Sequence, residues 1–390
     1  MRENMKRIAA VTYGLNYGGV ERVCLDYVRL LQTNGHEVDL YVLNPNEVEM
    51  ACEIPNGVSL KKVKLPPLLC PESYWRLAVK FSWGKYLFPL FYIFFYLLIH
   101  VYKTFVSSTK KYDVAIAFGG HINDLSFVAY NFVKAEKKVA WLHGGLYTYM
   151  IIAPCYQFLY KKIRNLVVLT DLVQNECLFF NKQLKLNIKK IYNPSFIATR
   201  EVDDKEVCRI KDKYGDFILM VARVDLPKNH IGLIRAMEFL YKKYGFKHNL
   251  VFVGEGPLRE ELQKYAATTA ISDCIYFAGN QASPQNYYAA AKLFVLSSIS
   301  EGLPTVLIEA AYFGLPLVSS DASVKEILGS NDYGLIAPIK DDEALGEHIY
   351  RLLTNSNDFD YYSQKAKSRY SQFAPSKISE ELESFLNNLQ

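Results

Sequence analysis

The sequence predicts an α/β protein built on doubly wound parallel sheets, and three observations carry that prediction. Short runs rich in β-branched and aromatic residues alternate with longer segments of helical period along the whole chain, the pattern that yields parallel strands covered by helices. The 390 residues, half of them apolar, suffice to bury two cores of ordinary size. The alternation breaks once, at Ile191-Tyr192-Asn193-Pro194, where a polar stretch without periodicity runs on to about Lys205. Two domains follow, residues 1–193 and residues 205–374. Residues 375–390 read as one more helix, apolar at Ile378, Leu382, Phe385 and Leu389, expected to pack back on the first domain.

In the first domain the strand candidates are Ile8–Tyr13, Val38–Leu43, Val58–Val63, Val114–Phe118, Val139–Leu142 and Val167–Leu169. In the second they are Phe217–Val221, Leu250–Val253, Ile275–Phe277, Phe294–Leu296 and Leu317–Ser319. Each is a short run of residues that suit a pleated, buried surface. Doubly wound sheets bind ligands beyond the carboxyl ends of their strands, so chemistry is sought in the loops that follow.

The formal net charge of +5 is unevenly spread. Residues 1–192 hold 24 Lys and Arg against 14 Asp and Glu, a difference of +10; the remainder holds 21 against 26, a difference of −5. A basic first half suits an anionic membrane or a phosphorylated partner, or is a solvated surface. Nucleic acid is set aside, because no recognition motif accompanies the charge. Seven scattered cysteines (Cys24, Cys52, Cys70, Cys155, Cys177, Cys208, Cys274) without a CxxC pair argue against a disulfide framework or zinc site and fit a reducing cytoplasm. No secretory leader is read at the start, where Met1–Arg7 leads straight into a strand-like run.

Tyr86–Tyr102 is an unusual stretch of 17 residues without a formal charge, rich in Phe, Tyr, Leu and Ile. Its length is at the lower limit for a bilayer span, but a single crossing would put strands of one sheet on opposite sides of the membrane. The segment is a buried helix or one lying in the membrane interface. Its aromatic content and the cations Lys80, Lys85, Lys103, Lys110 and Lys111 on its flanks favour the interface.

Six loops carry candidate chemistry. Gly14-Leu15-Asn16-Tyr17-Gly18-Gly19-Val20-Glu21-Arg22 follows the first strand and opens a helix. Gly18 and Gly19 let backbone approach a ligand and leave N–H groups unpaired at the helix start, although the spacing is not a dinucleotide fingerprint and suits a plain turn too. His143 ends the fifth strand candidate; His121, with Asp124 nearby, ends the fourth and is its rival. Ala222-Arg223-Val224-Asp225-Leu226-Pro227-Lys228-Asn229-His230 sets two cations where a diphosphate would need countercharge. Gly254 and Gly279 lie in strand-to-loop turns that bring main chain against a base or form tight connections.

Ser300-Glu301-Gly302-Leu303-Pro304-Thr305-Val306-Leu307-Ile308-Glu309-Ala310 is the most specific segment. Gly302 and Pro304 mark a turn after Glu301, Pro304 suits the first helical turn, and Glu309 falls about one turn inside the helix, which stops at Gly314-Leu315-Pro316. Carboxylates flanking a helix start accept hydrogen bonds from sugar hydroxyls while the free N–H groups and dipole attract phosphate. A sugar nucleotide fits that description.

Together these segments resemble the family 4 glycosyltransferases, over nearly the whole chain and most strongly from Phe217 to Leu328. The resemblance implies the GT-B fold, two Rossmann-like doubly wound domains facing a central cleft, with acceptor bound by the first and nucleotide-sugar donor by the second. It implies Arg223 and Lys228 at the donor diphosphate, Glu301 at the sugar, Glu309 at the ribose and the backbone of Gly302, Leu303, Pro304 and Thr305 against sugar and phosphates. Gly18, Gly19 and His143 match cleft positions of the first domain. The family's usual Ala-Asp ahead of the strand is Ala291-Lys292 here, outside the chemistry. No DxD motif stands near the donor site, so metal independence is expected and no cofactor beyond the donor.

The reading is therefore a retaining hexosyltransferase of the cytoplasmic membrane face. It would pass sugar, from a UDP-sugar for preference, to a growing glycan on a polyprenyl diphosphate. The catalytic set is His143, Arg223, Lys228 and Glu301. A sugar-nucleotide epimerase of the same fold, or a non-catalytic sugar-nucleotide binding protein, is the alternative; the first domain offers no acid–base carboxylates in a convincing motif for the epimerase.

Overall fold

The computed structural model describes residues 5–390 apart from Tyr17, Pro71, Glu72, Tyr74, Arg76, Leu77, Ser82, His121, Ala153 and Pro154. The chain folds as two units, Met1–Pro194 with Pro375–Gln390, and Ser195–Ala374. In the first, strands β1 (Arg7–Thr12), β2 (Glu37–Val42), β3 (Ser59–Lys62), β4 (Lys111–Ala117), β5 (Lys134–Leu142), β6 (Arg164–Val168) and β7 (Asn187–Lys190) form one parallel sheet. Its order is β3-β2-β1-β4-β5-β6-β7. In the second, β8 (Phe217–Val221), β9 (Asn249–Val253), β10 (Ile275–Gly279), β11 (Leu293–Leu296), β12 (Leu317–Ser320) and β13 (Leu335–Ala337) are also all parallel, in the order β10-β9-β8-β11-β12-β13. The central strands are continuous apolar runs because helices cover both faces of the sheet; Ile8 to Val11 and Phe217 to Met220 are fully buried.

All eleven strand candidates are strands, and among the described residues two were missed. Both missed strands, β7 and β13, lie at a sheet edge. Asn-Ile-Lys-Lys has solvent on one flank and needs no apolar run, and Leu335–Ala337 is too short for a period to register.

The unpatterned stretch after Pro194 is part of the second unit. Ser195 N–H donates to the Phe373 carbonyl (3.0 Å) and its carbonyl accepts from the Tyr370 hydroxyl (2.9 Å). Gln285 and Asn286 side chains bond Glu201 and Asp203 backbone groups at 3.0 Å each. Side chains, not a ladder, satisfy this backbone, so no periodicity is required of it. The C-terminal helix, Pro375–Asn387, belongs to the first unit. Glu383 accepts from Asn34 (2.8 Å) and meets His36 Nε2 (2.8 Å), and Gln390 exchanges two bonds with the Asn165 side chain. Leu386 completes its buried face with Ile378, Leu382 and Phe385; Leu389 lies beyond the helix end.

The unusual apolar segment is helix Gly84–Val106, the crossover from β3 to β4. It is long and apolar enough to cross a membrane by length and composition, yet both its ends feed strands of one sheet. It is not a buried helix either. Phe88, Phe95 and Ile99 enter the core, and Tyr92 reaches it through the Tyr130 hydroxyl (2.7 Å). On the opposite face Leu90, Ile93, Leu97 and Val101 are 63, 59, 61 and 60 % exposed. Of the flanking cations, Lys110 is not available: its ammonium donates to Glu37 Oε1 and Asp39 Oδ2, both at 2.7 Å. Sequence adjacency suggested a helix-flanking charge, but pairing in the sheet brings β2 carboxylates within its reach.

Phe95→Ala is expected to cost about 3–5 kcal/mol in urea unfolding, the range for emptying an aromatic site in a packed core. Leu97→Ser, on the exposed face, is expected to change stability by less than about 0.5 kcal/mol. Equal losses would contradict the assignment of the two faces.

Candidate functional site

The second sheet reverses its winding between β8 and β11, neighbours whose following loops diverge and leave a crevice at their carboxyl ends. Loop 222–229 leaves β8 and loop 297–304 leaves β11. Four hydrogen bonds pin them together. Ile299 N–H donates to the Pro227 carbonyl (2.7 Å), Ser297 Oγ to the carbonyls of Lys228 (3.2 Å) and Asn229 (2.9 Å), and Asn229 Nδ2 to the Ser297 carbonyl (3.1 Å). Asn229 takes the left-handed conformation (φ 51°, ψ 45°), which Asn tolerates better than most residues, and turns the chain into helix His230–Tyr244.

This pinning brings Lys228 to Glu301. The ammonium donates to both carboxylate oxygens, at 2.7 and 2.8 Å, and Ser298 Oγ donates to Oε1 at 2.6 Å. The Glu301 side chain is only 9 % exposed and that of Lys228 26 %. Removing either partner would leave a charge facing a partly desolvated site. Just beyond, helix Thr305–Tyr312 starts after Pro304 without a side-chain cap, so its first amides are not taken by a capping side chain. Pro304 stands one residue ahead of the helix instead of inside its first turn; Gly302 is partly exposed and Leu303 buried.

The other predicted residues of this unit divide. Arg223 is largely exposed, its Nε 3.6 Å from Asp225 Oδ2, and it does not touch the Lys228–Glu301 pair. Glu309, the fifth residue of its helix, accepts from the Tyr288 hydroxyl (2.9 Å) and lies 3.9 Å from Arg200 Nη1. Burial, and Glu309 after it, push the Tyr288 hydroxyl far above its ordinary pKa, so it stays a donor. Gly254 does not offer a free amide: its N–H donates to the Gly279 carbonyl (2.8 Å). With φ +137° and the Ala222 carbonyl where a Cβ would stand, Gly254 lets the β8 and β9 loops close on each other. Gly279 (φ +74°) ends β10 beside the Glu255–Arg259 ion pair.

Residues outside the predicted set complete the site. Ser298, Tyr288 and Arg200 orient the two glutamates, and only Ser298, three residues before Glu301, carried a sequence signal. His230 opens its helix fully buried, 5.1 Å from the Phe252 ring; among the described residues neither of its ring nitrogens has a hydrogen-bond partner, and buried Asp225 Oδ1 has none either. Burial first, and Lys228 second, push His230 down to about 4, so it is neutral at physiological pH.

In the first unit the winding reverses between β1 and β4. Gly18, extended, precedes helix Gly19–Thr33, and open space surrounds the Cβ position of Gly19. His143 follows β5, and its Nε2–H donates to the Phe118 carbonyl (2.7 Å) at the end of β4. Buried Asp124 accepts from the amides of Gly119 and Gly120, which assigns it to the β4 turn. His121 lies outside the described residues.

His230 has a measurable consequence. Its folded pKa lies below the unfolded value near 6.5, so unfolding takes up a proton between about pH 6.5 and 4 and stability falls as pH drops through that window. Between pH 7 and 5 the wild type is expected to lose about 2 kcal/mol more than a His230→Gln variant in urea titrations. Identical pH slopes would show that the imidazole is not held neutral.

Residues 204–369 match the family described as Glycosyl transferases group 1. Two Campylobacter jejuni proteins are similar in sequence. The N-acetylgalactosamine-N,N'-diacetylbacillosaminyl-diphospho-undecaprenol 4-alpha-N-acetylgalactosaminyltransferase is 30% identical over 220 residues, 56% of this chain and 57% of that one. The GalNAc-alpha-(1->4)-GalNAc-alpha-(1->3)-diNAcBac-PP-undecaprenol alpha-1,4-N-acetyl-D-galactosaminyltransferase is 32% identical over 168 residues, 43% of this chain and 46% of that one. The chain thus matches about half the length of these relatives. Anabaena HepE, crystallised with UDP and glucose, superposes with a TM-score of 0.75 at 16% identity, over 98% of this chain and 100% of that one. The fold is that of the GT-B glycosyltransferases, and the similarity to Glycosyl transferases group 1 lies in residues 204–369.

Proposed function

We propose that this chain is a retaining glycosyltransferase of family 4 type. It moves a sugar from a UDP-sugar to a growing glycan on a polyprenyl diphosphate, at the cytoplasmic face of a membrane. The observation that carries the reading is the Lys228–Glu301 pair at the β8/β11 reversal, directly ahead of an uncapped helix start. Without ligand the ammonium is neutralised by Glu301. A diphosphate entering beside the helix start competes for that ammonium and gains the amides of Thr305 and its neighbours. Glu301, relieved of Lys228, then accepts hydrogen bonds from the sugar hydroxyls, and Glu309 takes the ribose. The exposed Arg223 side chain is free to swing onto the phosphates.

In the proposed step the acceptor hydroxyl oxygen bonds to the anomeric carbon as the bond from that carbon to the diphosphate oxygen breaks, on the same face of the sugar. The leaving diphosphate takes the hydroxyl proton. Lys228 and Arg223 stabilise the charge growing on that diphosphate, and His143 serves the acceptor side. The two cations supply the countercharge a metal would otherwise bring, so metal independence is part of the proposal. The substrates of the Campylobacter relatives, named as undecaprenol-linked glycans, and the UDP bound to HepE support the choice of acceptor and donor. The exposed apolar face of helix Gly84–Val106 supports residence at a membrane.

The test is UDP release. With a UDP-sugar, release is expected only when a polyprenyl-diphosphate-linked acceptor is added, and chelator is expected to leave the rate unchanged. Release without acceptor would assign hydrolysis, and no release with any acceptor would overturn the proposal. Lys228→Ala is expected to lower kcat by about 10²–10³-fold, as loss of one charge-stabilising donor does, at a temperature where the variant, destabilised by the unpaired Glu301, is still fully folded. Unchanged turnover would remove the role of Lys228.

A further inference from the structure

A second charge arrangement in the first unit is unlike the paired ions elsewhere in the chain. Register in the sheet sets Lys111 beside Lys134 and Lys138 beside Arg164, like charges directly opposite across β4–β5 and β5–β6. Such pairs work against folding. Two helices add to them: Lys103 from the last turn of helix Gly84–Val106 and Lys162 from helix Tyr156–Ile163. Among the described residues none of these six cations makes an ion pair. Glu136, on the same face of β5 between Lys134 and Lys138, bonds none of them.

The crowding has physical consequences. Burial and then the neighbouring Lys162 and Lys103 bring Lys138 down to about 8, and burial also lowers Lys103 and Lys162. The arrangement adjoins the exposed apolar helix directly: the Lys162 ammonium lies 4.8 Å from the Tyr130 ring centroid and 5.8 Å from that of Tyr96, an exposed residue of that helix. Like charges held together without a carboxylate break a local rule of stability, and such breaks gather where a ligand compensates them.

We propose that these cations and the exposed row Leu90, Ile93, Leu97 and Val101 form one docking surface for an anionic phospholipid bilayer. The helix lies in the interface with its apolar row among the acyl chains, and the lysines hold lipid phosphates. Charge complementarity selects this occupant: an apolar row alone would suit any greasy partner, whereas six unpaired cations at its end call for a dense plane of phosphates. The proposal rests on the membrane reading above and adds which lipid and which residues. It keeps Lys103 and Lys111 of the helix-flanking cations, drops Lys110, and adds Lys134, Lys138, Lys162 and Arg164, which sequence places far from the helix.

The experiment is co-sedimentation of the full chain with phosphatidylcholine vesicles, with and without phosphatidylglycerol. Wild type is expected to bind the phosphatidylglycerol vesicles far better, and less well as salt is raised. Lys103→Gln/Lys134→Gln/Lys138→Gln/Lys162→Gln is expected to lose at least tenfold in binding, since each such cation is worth about fivefold. A charge-matched control in the second unit, Lys205→Gln/Lys211→Gln/Lys264→Gln/Lys367→Gln, is expected to bind like wild type. The melting temperature of the first variant is expected to hold or rise, because repulsion is removed. If that variant binds like wild type, the lysine assignment falls and the membrane reading stands. If wild type binds no vesicle, the membrane reading falls with it. Binding to an RNA oligonucleotide as tight as to phosphatidylglycerol vesicles would assign the cations to nucleic acid and overturn the proposal.

Discussion

Strands β8 and β11 are neighbours in space, although β9 and β10 come between them in sequence. The chain lays β9 and β10 on one side of β8, returns, and lays β12 and β13 on the other. The loops leaving β8 and β11 therefore turn away from each other, and they meet where the end of the first passes the start of the second. Ser297, Ile299 and Asn229 fasten that meeting point, and everything chemical in the second unit follows from that fastening. It fixes the backbone of Lys228 against Ser297, where the Lys228 ammonium reaches the Glu301 carboxylate. It also points the chain after Glu301 into a helix start without a capping side chain. A sheet wound in one direction would have no such crevice.

The ion pair at this place has two faces. As a structural element it is a partly buried pair whose net worth is modest, because desolvation offsets most of the attraction. In the proposed binding role it is a reserve: the charge that would meet a phosphate is kept occupied until one arrives. The surrounding residues prevent the pair from drifting. Ser298 holds the carboxylate from the other side, and the neutral, buried His230 adds no competing charge beside Lys228. Glu309 is governed separately, by Tyr288 and Arg200. The two glutamates are thus independent groups, each with its own partner, which differs from the arrangement of an acid–base pair.

How much of this was legible in the sequence depended on whether the determining contacts were local. The strands at the centre of each sheet wrote themselves as apolar runs, and the turn at Gly302–Pro304 announced its helix. Lys228 and Glu301 were recognisable because each sits in a distinctive loop. Their direct bond was not, since it depends on a pairing across 73 positions. Gly254 illustrates the converse. Its presence was plain, but its use, letting the Ala222 carbonyl pass where a side chain would stand, is a property of two loops together. Lys110 read as a free cation for the same reason, and the lysines of β5 gave no hint of one another's company with the helix. The faintest record was left by β7 and β13, two of the four edge strands.

The central claim is that Lys228 is a phosphate-binding group held in check by Glu301. Calorimetric titration of UDP into wild type, Lys228→Met, Glu301→Gln and the double variant tests it most directly. The expected result is weaker UDP binding by about tenfold or more in Lys228→Met, as for loss of a charge-assisted hydrogen bond. Glu301→Gln, which releases the ammonium, is expected to bind UDP more tightly than wild type, and this gain is expected to vanish when Lys228 is also replaced. Equal affinities for UDP in wild type, Lys228→Met and Glu301→Gln would contradict the claim.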